Sequence, residues 1–420
     1  MDIFRIEGGR PLRGEVEVAG AKNAALPILI AALLVDEGES TIGNVPDLRD
    51  IHTSLRVLEH LGVEASFDRE SGTLTLDAAR LERQEAPYEL VQKMRASFLV
   101  MGPLLARFGR ARISLPGGCA IGSRPVDQHL KAFAAMGASI SDDGGYIVAE
   151  ASPLHGATVF FDRPSHTGTE NVIMAAVRAE GTTTIINAAC DPEVIDLAAA
   201  LNAAGARVSG AGSTRITIEG VTSLRPLAHT VMPDRLEAGT FLIAGAITGG
   251  EVRVRGARAE DLEMVLAKLG EMGCAIRTEP DAVTVSLAGR PQPSTITTFP
   301  YPGFPTDLQA AIMALATIAE GTSVIRETVF EDRFMHTAEL ARLGARVRTL
   351  GDEATVIGVE ALSGASVMAS DIRAGAGLVL ACLAARGSSV VNRVYHIDRG
   401  HDRIEQRLRA LGAEIERADD

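Results

Sequence analysis

A chain of 420 residues, 46% hydrophobic and 23% charged, is long enough for two or three domains of roughly 150 residues and too apolar to be disordered. A formal net charge of −13 argues against a broad nucleic-acid surface but allows a local basic pocket. With 42 glycines, 4% aromatics and no tryptophan, many tight turns around a core of Ala, Val, Ile and Leu are expected.

The chain begins MDIFRIEGGR, with no basic head leading into an apolar stretch, so no signal peptide is expected. The longest apolar run, residues 24–35, is shorter than the roughly 18 residues a membrane span needs. No membrane insertion is expected. Cysteines 119, 190, 274 and 382 have neither disulfide nor metal-ligand spacing, which predicts a cytoplasmic protein without disulfides.

From residue 38 onward one set of signals recurs six times. A glycine leads a short β-branched strand at Gly38 (GESTIGNV), Gly109 (GRARISL), Gly181 (GTTTIINA), Gly249 (GGEVRVRG), Gly321 (GTSVIRET) and Gly387 (GSSVVNRV). An amphipathic helix follows each strand and ends in a pattern such as LEHLGVEA or LARLGARV. Its glycine falls at Gly62, Gly137, Gly205, Gly273, Gly344 and Gly412. A left-handed helix cap suits a residue without a side chain, and the residues beyond it alternate as a strand. The caps lie 68–75 residues apart, so six units of about 70 residues fill the chain. Segments AALPILIAALLV and AAIMALATIA are apolar on most faces and are predicted to be buried helices. The fold class is α/β, built from six repeated strand-helix units. The second unit is the longest, and its extra residues lie in PGGCAIGSRPVD. That stretch is either a mobile functional loop or a neutral surface insertion.

Several residues could carry chemistry. Cys119, on the glycine-flanked loop near Arg124, would be accessible and more acidic than usual, hence usable as a nucleophile or proton donor. Cys190, Cys274 and Cys382 read as small core or near-core residues. Lys22, Arg95, Arg124, Arg333, Arg373 and Arg399 each stand near the start of a predicted helix, where anions are favoured. As a set they suggest a polyanionic small substrate; singly, each could equally be solvated or paired with a nearby acid. Asp307, in PGFPTDLQAA, is either a helix-capping carboxylate or a general base. His129 carries a weaker signal, and neither G-x-x-x-x-G-K nor G-x-G-x-x-G is present.

The segments GAKNAALPIL, PYELVQKMRAS, LPGGCAIGSRPVDQH, FPTDLQA, ETVFEDRFMH, MASDIRA and YHIDRGHDRIEQRLRALGAEI occur in that order along the whole chain. Together they resemble the enolpyruvyl transferases that act on UDP-N-acetylglucosamine. The resemblance implies a two-domain inside-out α/β barrel. One domain would span residues 21–231 and the other would join 1–20 to 232–420, with the active site in the cleft between them. The implied partners are phosphoenolpyruvate and UDP-N-acetylglucosamine, with no metal or organic cofactor and no nucleic acid; the sequence does not set an oligomeric state.

Carried over residue by residue, Lys22, Arg124 and Arg399 correspond to contacts to phosphoenolpyruvate, with Arg373 nearby and Arg333 in a related place. Asn23 matches a contact to the sugar and the reacting centre. Arg95, Arg124, Pro125, Val126, Asp127, Gln128, Asp307 and Val329 match positions that hold the UDP-sugar. Cys119 corresponds to the acid that fosfomycin alkylates in sensitive members, and Asp307 to the base that takes the hydroxyl proton. Ser165, His166 and Thr167 fall in the diphosphate-contacting run, where the family commonly has a serine, a small apolar residue and glycine. Here the glycine is replaced, or displaced by one position to Gly168. Such a change would suit a non-catalytic paralogue that binds UDP-sugars, but intact Lys22, Cys119, Asp307 and Arg399 weigh against that. The Cys119 loop and the RPVDQH segment weigh against a shikimate-type transferase.

Overall fold

The computed structural model describes residues 2–92, 94–115 and 126–419. All six strand-leading and all six helix-capping glycines have positive φ, from +65° at Gly249 to +145° at Gly321. Gly62 illustrates the reason. Helix Arg49–Leu61 ends there with φ +107°, and the Gly62 and Val63 amides close on the Glu59 and Leu58 carbonyls. The chain then turns straight into strand Glu64–Asp68.

Each repeat builds a four-stranded sheet to one plan. In the third, the strand after the lead glycine, Thr182–Ile186, runs antiparallel to Arg215–Glu219, which forms a hairpin with Arg207–Ser209. The short strand Thr158–Phe160 edges the sheet in parallel. The capped helix Pro192–Ala203 lies between the first strand and the hairpin in sequence. The other five sheets repeat the order and the pairing senses.

The described residues divide into two compact units, one holding those of 20–115 and 126–232 and the other those of 2–19 and 233–419. Each contains three of the sheets and its own hydrophobic core. Helices Arg235–Ile247, Gln309–Ala316 and Ile372–Ala384 are buried almost throughout and pack on one another inside the second unit. Helices Lys22–Ala31, Met101–Phe108 and His166–Ala176 take the corresponding place in the first. The expectation of buried helices around AALPILIAALLV and AAIMALATIA is borne out, since nearly every residue of both is inaccessible to solvent. Helix backbones come close inside each unit: a Cβ at Gly377 would lie 2.7 Å from the Ala310 carbonyl oxygen, and one at Gly102 would lie 2.5 Å from that of Asn171.

Each unit is closed by a distant strand. Ala228–Thr230 runs parallel to Glu39–Gly43, and Arg13–Glu17 runs parallel to Glu251–Arg255. The first strand, Asp2–Glu7, inserts between Ser388–Asn392 and Glu414–Asp419, pairing antiparallel with both. Among the described residues no helix is long and apolar enough to cross a membrane.

Candidate functional site

Within residues 233–419 the structure gathers Asp307, Arg333 and Arg373. Asp307 lies in the first turn of the short 3-10 helix Thr306–Leu308, just ahead of helix Gln309–Ala316. The N-cap positions are Pro305 and Leu308, so Asp307 is the first-turn carboxylate of the short 3-10 turn rather than a cap. Arg333 Nη2 donates to Asp307 Oδ1 at 2.7 Å and Arg373 Nε donates to Oδ2 at 3.1 Å. The Asp307 side chain is 25% exposed, whereas both guanidiniums are 6% exposed. The half-buried carboxylate is thus held by two buried cations.

Helix capping sets the position of Arg373. Asp371 caps Ile372–Ala384 by accepting from the Arg373 and Ala374 amides at 2.9 and 3.0 Å, which fixes Arg373 in the first turn. Burial opposes the Arg373 charge, but Asp307 and Asp234 outweigh it and leave the pKa raised. Its Nη1 is buried with no hydrogen-bond partner among the described residues. A Cβ on Gly400 would lie 3.7 Å from that nitrogen, so Arg373 reaches the residue that follows Arg399. Arg399 ends the 3-10 helix Val394–Arg399 and is half-buried. Beside Arg333, His336 has a pKa pushed down to about 4 by burial, so its ring is neutral at ordinary pH.

A second group lies within residues 20–232. Lys22 opens the buried helix Lys22–Ala31, and its Nζ is 3.3 Å from Asp50 Oδ2, with both residues buried. Asn23 follows, half-buried. Arg95 opens the 3-10 helix Arg95–Val100. Val126 precedes helix Asp127–Ala135, in which Asp127 is exposed and Gln128 is buried. Gln128 accepts from the Asp162 amide at 3.0 Å and donates to the Asp127 and Asp162 carboxylates.

Ser165 caps helix His166–Ala176, its Oγ accepting from the Gly168 amide at 3.1 Å. A Cβ at position 168 would lie 2.7 Å from that oxygen. Gly168 therefore serves the cap. His166 stands between Glu170 (2.9 Å) and Asp191 (3.4 Å). Burial alone would lower its pKa, but the two carboxylates outweigh that and hold it well above the usual range. His166, Asp191 and Glu193 are also the group of described side chains near enough together to share a metal ion. Thr167 meets His129, whose burial lowers its pKa to about 3. Asn171 Nδ2 donates to His129 Nδ1 at 3.0 Å, leaving Nε2 as the donor to Thr167 Oγ1.

Cys119, Arg124 and Pro125 lie outside the described residues. The other three cysteines are free thiols raised by burial, to about 11 at Cys274 and about 12 at Cys382. Asp50, Thr306 and Glu327 were not marked by the sequence as site residues, and the partners of Asn171 were not legible there. Each is a buried or half-buried polar residue with a partner 21 or more residues away, beyond the reach of local spacing.

A profile of the family described as EPSP synthase (3-phosphoshikimate 1-carboxyvinyltransferase) matches residues 6–408. A curated relative from Dichelobacter nodosus (strain VCS1703A), named UDP-N-acetylglucosamine 1-carboxyvinyltransferase, is 53% identical over 417 residues, covering 99% of both chains. One of the same name from Anaeromyxobacter dehalogenans (strain 2CP-C) is 56% identical over 422 residues, again covering 99% of both. Among solved structures, the enolpyruvyl transferase NikO from Streptomyces tendae superposes with a TM-score of 0.89 at 26% identity over 99% of both chains. EPSP synthase from Acinetobacter baumannii shares the fold, with a TM-score of 0.76 at 18% identity over the whole of both chains. Fold and profile define a transferase of the carboxyvinyl class, assembled from six α/β repeats. The chain belongs to the UDP-N-acetylglucosamine 1-carboxyvinyltransferase family.

Proposed function

We propose that the protein transfers the enolpyruvyl group of phosphoenolpyruvate to the 3-hydroxyl of UDP-N-acetylglucosamine and releases phosphate, the first committed step of peptidoglycan synthesis. The observation that carries this reading is the 53–56% identity over 99% of the chain to relatives named for that transfer. The half-buried Asp307 carboxylate, paired with two buried arginines, supports it.

The reaction proceeds by addition and elimination. The sugar hydroxyl oxygen adds to C2 of phosphoenolpyruvate while its methylene carbon gains a proton, giving a tetrahedral phospholactoyl adduct. The C2–O bond to phosphate then breaks, a proton leaves the new methyl group, and the double bond re-forms. Asp307 takes the hydroxyl proton; a carboxylate has about four lone-pair sites, so engagement by two guanidiniums is compatible with that role. Cys119 supplies the proton to the methylene. Lys22, Arg124, Arg373 and Arg399 hold the phosphate and carboxylate, and such fixed cations stabilise the charge that develops as the adduct forms and collapses. The buried Nη1 of Arg373, without a hydrogen-bond partner among the described residues, supports its place among them. Asn23, Arg95, Pro125, Val126, Asp127, Gln128, Ser165, His166, Thr167, Val329 and Arg333 are assigned to the UDP-sugar and its surroundings. The cysteine pattern supports a cytoplasmic location.

Removing the base tests the assignment. Asp307→Ala should lower turnover on the order of 100-fold or more while changing the KM for UDP-N-acetylglucosamine far less. Near-normal turnover would return Asp307 to a structural role. For the acid, intact-mass measurement should show fosfomycin alkylating the wild type and sparing Cys119→Ser. Alkylation persisting in that variant would identify a different thiol.

A further inference from the structure

Glu327 is the first residue after strand Thr322–Arg326 and is 3% exposed, yet its carboxylate is fully engaged. Oε1 accepts from the Thr298 hydroxyl at 2.9 Å and from the Val329 and Phe330 amides at 2.9 and 3.1 Å. Oε2 accepts from the Thr306 hydroxyl at 2.8 Å. The oxygen of that hydroxyl accepts from Arg333 Nη1 at 2.7 Å, and Arg333 Nη2 donates to Asp307 at 2.7 Å.

Direction along this chain is fixed by chemistry. A guanidinium only donates, so the Thr306 proton must point to Glu327. Two planar donors of one guanidinium then grip Thr306 and Asp307, which sets the Asp307 carboxylate by a route that begins at Glu327. The other oxygen of Glu327 shapes the turn carrying Val329. Phe330, held by the same oxygen, lies 5.0 Å from the Arg333 guanidinium, which adds a second restraint on that cation.

We propose that Glu327 is a positioning residue for the transfer: through Thr306 and Arg333 it orients the Asp307 carboxylate, and through the Val329 and Phe330 amides it shapes the adjoining sugar-binding turn. This inference rests on the assignment of Asp307 as base. A base misplaced by about 1 Å can cost as much as 100-fold in rate, so a defect in this relay should appear in turnover rather than in binding.

Glu327→Gln separates the two arms. The amide oxygen can still accept from the Val329 and Phe330 amides, but the amide nitrogen now faces Thr306 as a donor, and the threonine proton loses its acceptor. Steady-state kinetics should show kcat down about tenfold or more, with the KM for UDP-N-acetylglucosamine within about threefold of wild type. Thr306→Val, which removes the relay hydroxyl without touching Glu327, should reproduce that loss. Thr306→Ser should recover most of it. The double variant Glu327→Gln with Thr306→Val should be no slower than the worse single variant, since both break one path. Full turnover in Glu327→Gln or Thr306→Val beside an inactive Asp307→Ala would overturn the positioning role alone. So would a loss that Thr306→Ser fails to recover. Near-normal turnover in Asp307→Ala would overturn the base assignment and this inference with it.

Discussion

At the residue scale, burial decides which side chains carry charge. His129 sits inside the unit formed by residues 20–232, bonded to Asn171 and Thr167, with its pKa lowered to about 3 from 6.5. Its folded-state pKa lies below its unfolded value, so below about pH 6.5 the unfolded chain binds the extra proton. Stability is full above that pH and falls toward pH 3 by about 1.4 kcal/mol per unit. Replacing the ring by an amide in His129→Gln should reduce the slope of unfolding free energy against pH between pH 6 and 4 by about that amount. An unchanged slope in urea titrations would show that His129 is not buried neutral. His166 behaves oppositely. With its pKa raised, its contribution is complete below about pH 6.5 and is lost as pH rises through the raised value. The cations are legible in the sequence in part: Lys22, Arg95 and Arg373 do stand in the first turn of helices, whereas Arg399 ends the 3-10 helix Val394–Arg399 and Arg333 precedes helix Thr337–Arg342 by four residues. What could not be read was who pairs with whom. Asp307 looked like a capping residue because capping is a local act, whereas its two guanidinium partners come from 26 and 66 residues further along the chain.

At the scale of elements, glycine has two separable uses. At Gly344 the requirement is conformational: φ is +90°, and an added Cβ would meet nothing within 4 Å. Gly344→Ala should therefore cost only about 1 kcal/mol. At Gly102 the requirement is steric. A Cβ would lie 2.4 Å from Asn171 Oδ1 and 2.5 Å from its carbonyl oxygen, where helices Met101–Phe108 and His166–Ala176 meet. Gly102→Ala should cost about 3 kcal/mol or more, because helix backbone must move and the bond from the Gly102 amide to Asn171 Oδ1 is strained. Urea midpoints of the two variants should differ in that order; equal midpoints would remove the close-packing argument. The first use was legible in the sequence, since capping glycines repeat every 68–75 residues. Gly102 sits inside an apolar run and follows no such period, so nothing in the sequence marked it.

At the scale of the whole molecule, two strands of each repeat, the glycine-led one and the one after the helix cap, followed from the six recurring signals, but the four-strand order and the closures did not. Strand Asp2–Glu7 completes the sheet of the last repeat through partners more than 380 residues away, with Phe4 and Ile6 buried beneath it. Deleting residues 2–7 should expose two ladders at once and abolish cooperative unfolding of that unit in calorimetry; an unaltered transition would contradict the pairing. Net charge, −13 over the chain, describes the outside and says little of the buried cations Lys22, Arg333 and Arg373 or of half-buried Arg399. That these cations, with Asp307 and Cys119, serve enolpyruvyl transfer to a UDP-sugar is tested most directly by phosphate release from phosphoenolpyruvate. The purified protein would be offered UDP-N-acetylglucosamine and shikimate 3-phosphate separately. Release is expected with the UDP-sugar and not with shikimate 3-phosphate, and no release with the UDP-sugar would contradict the account.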